Sequence, residues 1–468
     1  MTALQATTIN GGSARLQQSV VEQLQTAVRG QLLLARDDRY QSARRIWNAM
    51  IDKHPAIIVR CAGAADVVRC VQFAREHDLL VSVRGGGHNV AGNAVCDGGL
   101  TIDLSPMKSV RVDPVARTAR AEPGVLWGEF DRETQAFGLA TTGGQVSTTG
   151  IAGLTLGGGE GWLASKYGYT VDNLLSADVV TADGRLVTAS ATSNEDLFWA
   201  LRGAGHNFGV VTSFEYRLHQ VGPILGGMVM HPFDHARDAL RFYREFMTTP
   251  PDELTTIAGV ITAPDGNQVV AIAACYAGPL QQGARVLEPL RRFGSPVADT
   301  IGPMAYATMQ TLFDAAFPSG HLNYWKGSLM SQLSDEVIEA IVEHARRIPS
   351  PFSGVFIPHY HGAFSRVPKR DTAYYHRDLP YELLILSNWI EQADSGRNIA
   401  WTRELFAAVQ MHVGRAVYVN MLDRDESEQR VQDAYGLNYE RLLGLKRKYD
   451  PMNFFRLNQN IKSEVIGV

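Results

Sequence analysis

Two glycine-dense stretches constrain this chain more than any other feature. The first, LLVSVRGGGHNVAGN from Leu79 to Asn93, runs from an apolar, β-branched strand signal straight into Arg84, Gly85, Gly86, Gly87, His88 and Asn89. The second, Thr141 to Gly168, holds nine glycines in 28 residues. It is not low complexity, because Leu154, Leu156, Trp162 and Leu163 punctuate it with apolar anchors that pin each loop to a core. So much glycine gives up conformational entropy, and the compensation is backbone that another surface can approach without a Cβ in the way. Two such loops in one domain, about 60 residues apart, make a cleft lined by N–H donors, and a diphosphate fits that description. Neither loop has the G-x-G-x-x-G register of a dinucleotide-binding βαβ unit, and no G-x-x-x-x-G-K-[ST] phosphate loop occurs.

At 468 residues the chain is too long for one ordinary core, so two or three domains are expected. A net charge of -4 gives no general reason to bind nucleic acid or an anionic membrane. Cys61, Cys70, Cys96 and Cys275 match no metal or redox spacing and read as small core residues. No basic and apolar leader and no run of 18 apolar residues occur, which makes a cytoplasmic enzyme the expectation; a monomer or homodimer is expected.

The segment from Pro55 to His88 reads as strand, helix, strand, with Val67, Val71 and Ala74 on one helical face. A helix is expected near Leu126 to Phe137, a hairpin around Asp183 and Gly184, and a helix from Asp196 that ends in a Gly-His-Asn-Phe-Gly turn before a strand. From about Val221 the glycine loops stop, and strands such as QVVAIAACYAG alternate with amphipathic helices such as SDEVIEAIVEHARRI. Near the end, the stretch from Gly414 to Asp425 reads as a strand, followed by a helix stopped at Asp450 and Pro451 and a tail rich in Asn and Gln. The fold class is α+β, with boundaries near 220 and 412 that divide the chain into 1–220, 221–412 and 413–468.

The order of RGGGHN, GLTLGGGEGWLASKYG, DNLLSADVVTADG, DLFWALRGAGHNFGVV and YERLLGLKRKYDPMNFFRLNQNI resembles the bacterial branch of the berberine-bridge-enzyme-like FAD-linked oxidases, in the vanillyl-alcohol-oxidase and p-cresol-methylhydroxylase superfamily. The resemblance covers essentially the whole chain and is nearest, in pattern, to 6-hydroxynicotine oxidases and oxidases of antibiotic biosynthesis. It implies an FAD domain of two α+β subdomains, completed by the C-terminal segment, and a substrate domain with an antiparallel sheet flanked by helices. It also implies hydride transfer from a small organic substrate, an alcohol, amine or secondary-metabolite scaffold, to flavin N5, with dioxygen as acceptor giving hydrogen peroxide. A dehydrogenase or oxygenase using the same flavin is the alternative.

By the same resemblance, His88 is the residue bonded through a ring nitrogen to the flavin. Relatives with a second, cysteinyl link carry it where this chain has Val146, so a single histidyl link is expected. Further FAD contacts implied are Arg84, Gly85, Gly86, Gly87 and Asn89, then Thr149, Gly150, Gly153, Gly157, Gly158, Gly159 and Asn173, and finally Val211, Asn458 and Asn460. Thr149 occupies the place where relatives set a small side chain over the flavin edge and so control access of dioxygen.

Tyr418 and Asn420, i and i+2 on the expected strand, share a face, and in related oxidases a tyrosine at the matching Y-x-N position is the base. A phenol needs nearby positive charge or hydrogen-bond donors for that work at neutral pH. The stretch TAYYHRDLPYELLILSNWI is expected to form a strand facing the flavin, with Tyr374, Tyr375, His376, Tyr381 and Asn388 as pocket lining. Arg377 and Asp378 read as solvated surface charges. His359 and His361 share a strand face without a third ligand, so no metal site is expected and they read as pocket or core residues.

Overall fold

The computed structural model describes residues 3–462; residues 1–2 and 463–468, which belong to the expected first and last segments, lie outside the described residues. Three sheets organise the chain. In the first, Ile57–Arg60, Leu100–Asp103 and Val81–Arg84 run parallel, and Gln31–Leu33 adds antiparallel to Ile57–Arg60. The helix Ala64–Glu76 makes the crossover and buries Val67, Cys70, Val71 and Ala74 against this sheet. The strand, helix, strand pattern is therefore a parallel unit whose second strand ends where the first glycine loop begins.

The second sheet is antiparallel, in the order Leu186–Ser190, Leu174–Val180, Val210–Arg217, Thr118–Ala121, Val110–Asp113. The expected hairpin closes at Gly184, whose φ of +80° suits the turn. The core beneath this sheet also holds Tyr360, Phe364, Ala373 and Tyr374, together with Val417, Tyr418, Leu442 and Ile461. Three separated stretches of sequence thus build one core.

The third sheet has eight antiparallel strands, among them Ile224–Pro232, Gln268–Tyr276, Leu254–Thr262, Gly354–His359, Tyr381–Trp389 and Leu322–Met330. Helices Ala236–Phe246, Leu280–Arg292, Asp335–Ala345 and Ser395–Val409 cover one face, packing Leu240, Leu290, Ile341 and Leu405 on Val260, Ile272, Leu383 and Ile385. The opposite face carries Trp325, Leu384 and Leu386 toward the glycine loops. The fold is α+β, and all four cysteines are buried and free.

Two expected elements differ. The stretch containing Tyr418 is no strand: Val419–Met421 is a single 3₁₀ turn. Only Tyr381–Trp389 of the long aromatic stretch is extended, and residues 373–380 form a loop.

Candidate functional site

One large cavity lies between the two glycine loops and the uncovered face of the eight-stranded sheet. Its first wall is made by Gly85, Gly86, Gly87, His88 and Asn89, by Thr149, Gly150 and Gly153, and by Val211 and Asn458. Its second wall is Ile257, Phe313, Phe317, Trp325, Phe356, Pro358, Leu384 and Leu386. Tyr418 and Asn420 line it as well.

The loops touch backbone to backbone. A Cβ on Gly86 would stand 2.6 Å from both Cα and N of Gly150, so only glycine allows the approach. His88 follows directly. Its ring stacks on Trp47 with centroids 4.3 Å apart and 18° between planes, and Trp47 Nε1 donates to the Phe317 carbonyl at 3.1 Å, fixing the histidine against the second wall. Burial lowers the His88 pKa to about 4, so the ring is neutral at pH 7, and its Nε2 is buried without a partner. Asn89 Oδ1 and Asn458 Oδ1 are likewise buried and unpartnered. Buried polar atoms without partners are costly, and three on one cavity wall fit a large polar ligand such as FAD.

The end of the chain is delivered to this wall by a buried ion pair. Lys446 Nζ donates to Asp450 Oδ2 at 2.7 Å, to Asn207 O at 2.9 Å and to Phe455 O at 3.0 Å, while Asp450 accepts the N–H groups of Phe454 and Phe455. Asp450 and Pro451 thus do more than stop a helix: they turn Leu457, Asn458 and Gln459 onto the cavity.

The 3₁₀ turn achieves what the expected strand was to achieve. It folds the Asn420 amide back so that Nδ2 donates to the Tyr418 phenol oxygen at 2.6 Å, and Gly159 N–H donates to the same oxygen at 2.8 Å. These two bonds favour the phenolate. Burial opposes them most strongly, the Glu160 and Glu382 carboxyls add to that opposition, and the Tyr418 pKa ends well above the ordinary phenol value. In this state the tyrosine is a neutral phenol whose oxygen already accepts two bonds.

Several residues expected to contact the cofactor engage other groups in this structure. Gly157, Gly158 and Gly159 do not line the cavity; a Cβ on them would meet Asn420, Tyr374 with Tyr418, and Thr170 respectively, so they make room for side chains. Arg84 sends its guanidinium to the Ala43 carbonyl. Asn173 bonds the carbonyls of Tyr167 and Tyr169 and the ring of His219. Asn460 also lies off the cavity wall.

Strand parity displaces part of the expected substrate lining, and local hydrogen bonds and packing hold the rest. Tyr381 and His359 point to the helix-covered face, where their rings pack 4.6 Å apart. Asn388 is held by His321 and Ala316, His361 by Ser165 and Pro251, and His376 by the Asp433 carbonyl. Tyr375 packs at Gly436, and Tyr374 stands behind Tyr418, ring centroids 5.9 Å apart. Arg377 is not solvated: it is 2% exposed and grips Asp172 with bonds of 2.7 and 2.8 Å, whereas Asp378 is exposed.

Sequence reasoning missed the apolar wall and one acidic pair. Glu160 lines the cavity, and the Glu382 carboxyl lies against it. Both are buried, and burial lifts Glu160 to about 7. A run of apolar residues around Glu382 was the one available signal.

The comparisons agree with this geometry. Residues 55–190 match the FAD binding domain model, and residues 417–462 match the berberine and berberine like model. An FAD-linked oxidoreductase of Dictyostelium discoideum is 32% identical, covering 90% of this chain and 92% of its own. The (R)-6-hydroxynicotine oxidase of Paenarthrobacter nicotinovorans is 32% identical over 94% of this chain and 98% of its own. The crystal structure of 6-hydroxy-D-nicotine oxidase from Arthrobacter nicotinovorans superposes with a TM-score of 0.85 at 31% identity, covering 93% of this chain and 98% of that one. A chitooligosaccharide oxidase at 24% identity, covering 96% of this chain and 100% of its own, shares the fold with a TM-score of 0.86. With two glycine loops closing on a neutral histidine and relatives matched along nearly their whole length, this chain belongs to the berberine-bridge-enzyme-like family of FAD-linked oxidoreductases.

Proposed function

We propose that this protein is an FAD-dependent oxidase of a small organic substrate, with the cofactor attached through His88 alone and dioxygen as the electron acceptor. The observation that carries the reading is that a single cavity is walled by the glycine loops with His88 on one side and by an aromatic and aliphatic sheet face on the other, with Tyr418 and Asn420 also on its lining. When bound, FAD supplies a two-electron acceptor that dioxygen can reoxidise with formation of hydrogen peroxide.

Gly85 to Gly87 and Gly150 present backbone to the cofactor, and Asn89 and Asn458 offer it acceptor oxygens. His88 meets the chemical requirement for attachment, a neutral imidazole with one nitrogen free. Val146 is apolar and half-buried beside Trp325 and Leu384, which supports one link rather than two. Tyr418 takes the substrate proton as the phenolate formed once its own phenol proton has passed to bulk water, with Asn420 and the Gly159 N–H stabilising that phenolate. Thr149, half-buried on the cavity wall, governs oxygen access. The nicotine oxidase among the relatives supports an oxidase reading.

His88→Ala tests the attachment. Wild-type protein should keep its flavin fluorescence on a denaturing gel and after acid precipitation, while the variant should release flavin into the supernatant and still fold. Release of flavin from the wild type by acid would remove the attachment from the proposal.

A further inference from the structure

The carboxyls of Glu160 and Glu382 are the polar groups of this region that the reading above does not use. Glu382 rises from the strand Tyr381–Trp389 with 0% exposure, and neither of its oxygens accepts a hydrogen bond. Glu160, 6% exposed, follows the second glycine loop and reaches the cavity. Its oxygens accept only long bonds, from Tyr169 OH at 3.3 Å and Tyr360 OH at 3.5 Å. The phenols of Tyr374 and Tyr418 complete the surroundings, and the Tyr374 hydroxyl is also buried without a partner.

No cation balances the pair among the described residues. Arg377 lies over the rings of Tyr169 and Tyr374 at 5.8 and 5.1 Å, and its charge is already matched by Asp172. Two carboxyls in contact hold one proton between them, which leaves one negative charge facing the cavity. A buried carboxylate without a counter-charge costs several kcal/mol, and a cation arriving there relieves that cost. The facing wall of Phe313, Phe317, Trp325, Phe356, Leu384 and Leu386 offers no hydrogen bonds to a polyol, but its aromatic members attract a cation and its body.

We propose that Glu160, backed by Glu382, is the binding subsite for a protonated amine, and that the substrate is an aryl- or alkylamine rather than a sugar or a simple alcohol. The inference rests on the cavity being the substrate pocket of a flavin enzyme, and it narrows that reading to one chemical class. Glu382 donates its proton to Glu160, and the ammonium takes the place of the second proton that Glu160 holds at low pH. Amine affinity should therefore rise between pH 6 and 8, the range in which a carboxyl titrating at about 7 becomes charged, while alcohol affinity should not follow pH.

The test is calorimetric titration of the holoenzyme under anaerobic conditions with matched probes: 2-phenylethylamine against 2-phenylethanol, and the corresponding naphthyl pair. Wild type should prefer the amine by about 10- to 150-fold, the range for a hydrogen bond to a charged group, with proton release seen as a binding heat that varies with the buffer's ionisation enthalpy. Glu160→Gln should abolish the preference and the release. Glu382→Gln keeps a permanent neutral donor to Glu160, so it should preserve both the preference and its rise with pH. Equal affinity for the members of each pair, no binding of either amine, or a preference that survives in Glu160→Gln would overturn the amine subsite. Flavin absorbance followed in the same samples separates the two readings: protein that binds amines selectively but carries no flavin would break the cofactor reading and leave the subsite standing.

Discussion

Two sets of glycines, nearly indistinguishable in the sequence, do different work. At Gly86 and Gly150 backbone meets backbone, and the space left over belongs to the cavity. At Gly157, Gly158 and Gly159 backbone meets side chains, and the space is already filled by Asn420, Tyr374, Tyr418 and Thr170. The first set shapes the proposed place of the cofactor; the second holds the groups expected to act on the substrate. Glycine density therefore marks close approach, and only the structure says what approaches.

The largest expected effect falls on the first set. Gly86→Ala puts a methyl group into the Gly150 backbone, which cannot yield as a side chain would, so the loops must part. The variant should purify without flavin, with a lower melting temperature that added FAD restores only in part; a yellow, fully loaded Gly86→Ala protein would show that the loops need not touch. Next comes the group that the second set holds. Tyr418→Phe should keep flavin and fold while slowing anaerobic flavin reduction by about 10² to 10⁴, the range for loss of a general base. A near wild-type rate in stopped flow would move the base elsewhere.

Gly157→Ala sharpens the contrast between the sets. Its methyl would meet the Asn420 amide, 2.5 Å from Cγ, a side chain that can swing aside. Flavin should stay bound, while displacement of the amide from the Tyr418 oxygen lowers the reduction rate by about tenfold, the worth of one hydrogen bond near 1.4 kcal/mol. Loss of flavin instead would erase the distinction. The smallest effect is expected at Thr149, where valine keeps the shape and removes the hydroxyl: Thr149→Val should change flavin reoxidation in aerated buffer a few-fold, roughly the worth of one modest hydrogen bond, and leave reduction untouched.

Local chemistry was legible in the sequence, and facing was not. His88 after three glycines, the turn at Gly184 and the helix stop at Asp450 each follow from the conformational limits of a few adjacent residues. The pairing of Tyr418 with Asn420 was anticipated for the wrong reason, since a 3₁₀ turn rather than a strand joins them. The pocket wall failed because Tyr381–Trp389 is buried on both faces. Such a strand shows no alternation of polar and apolar residues, so its sequence cannot reveal that Leu384 and Leu386 meet the cavity while Tyr381 does not. Arg377 failed for a related reason: a charge is assigned to solvent by default, and its partner Asp172 lies 205 residues away in the chain.

The core shared by Leu218, Tyr374 and Ile461 also sets a timetable for biosynthesis. A ribosome adding about 5–20 residues per second needs roughly 12–50 s to pass from Leu218 to Ile461. During that interval the glycine loops exist without the residues that complete their core and their cavity. A nascent chain halted before Leu442 would expose the apolar underside of the second sheet, so chaperone dependence and flavin loading should both wait for residues 417–462 rather than follow the motif that first announces the cofactor.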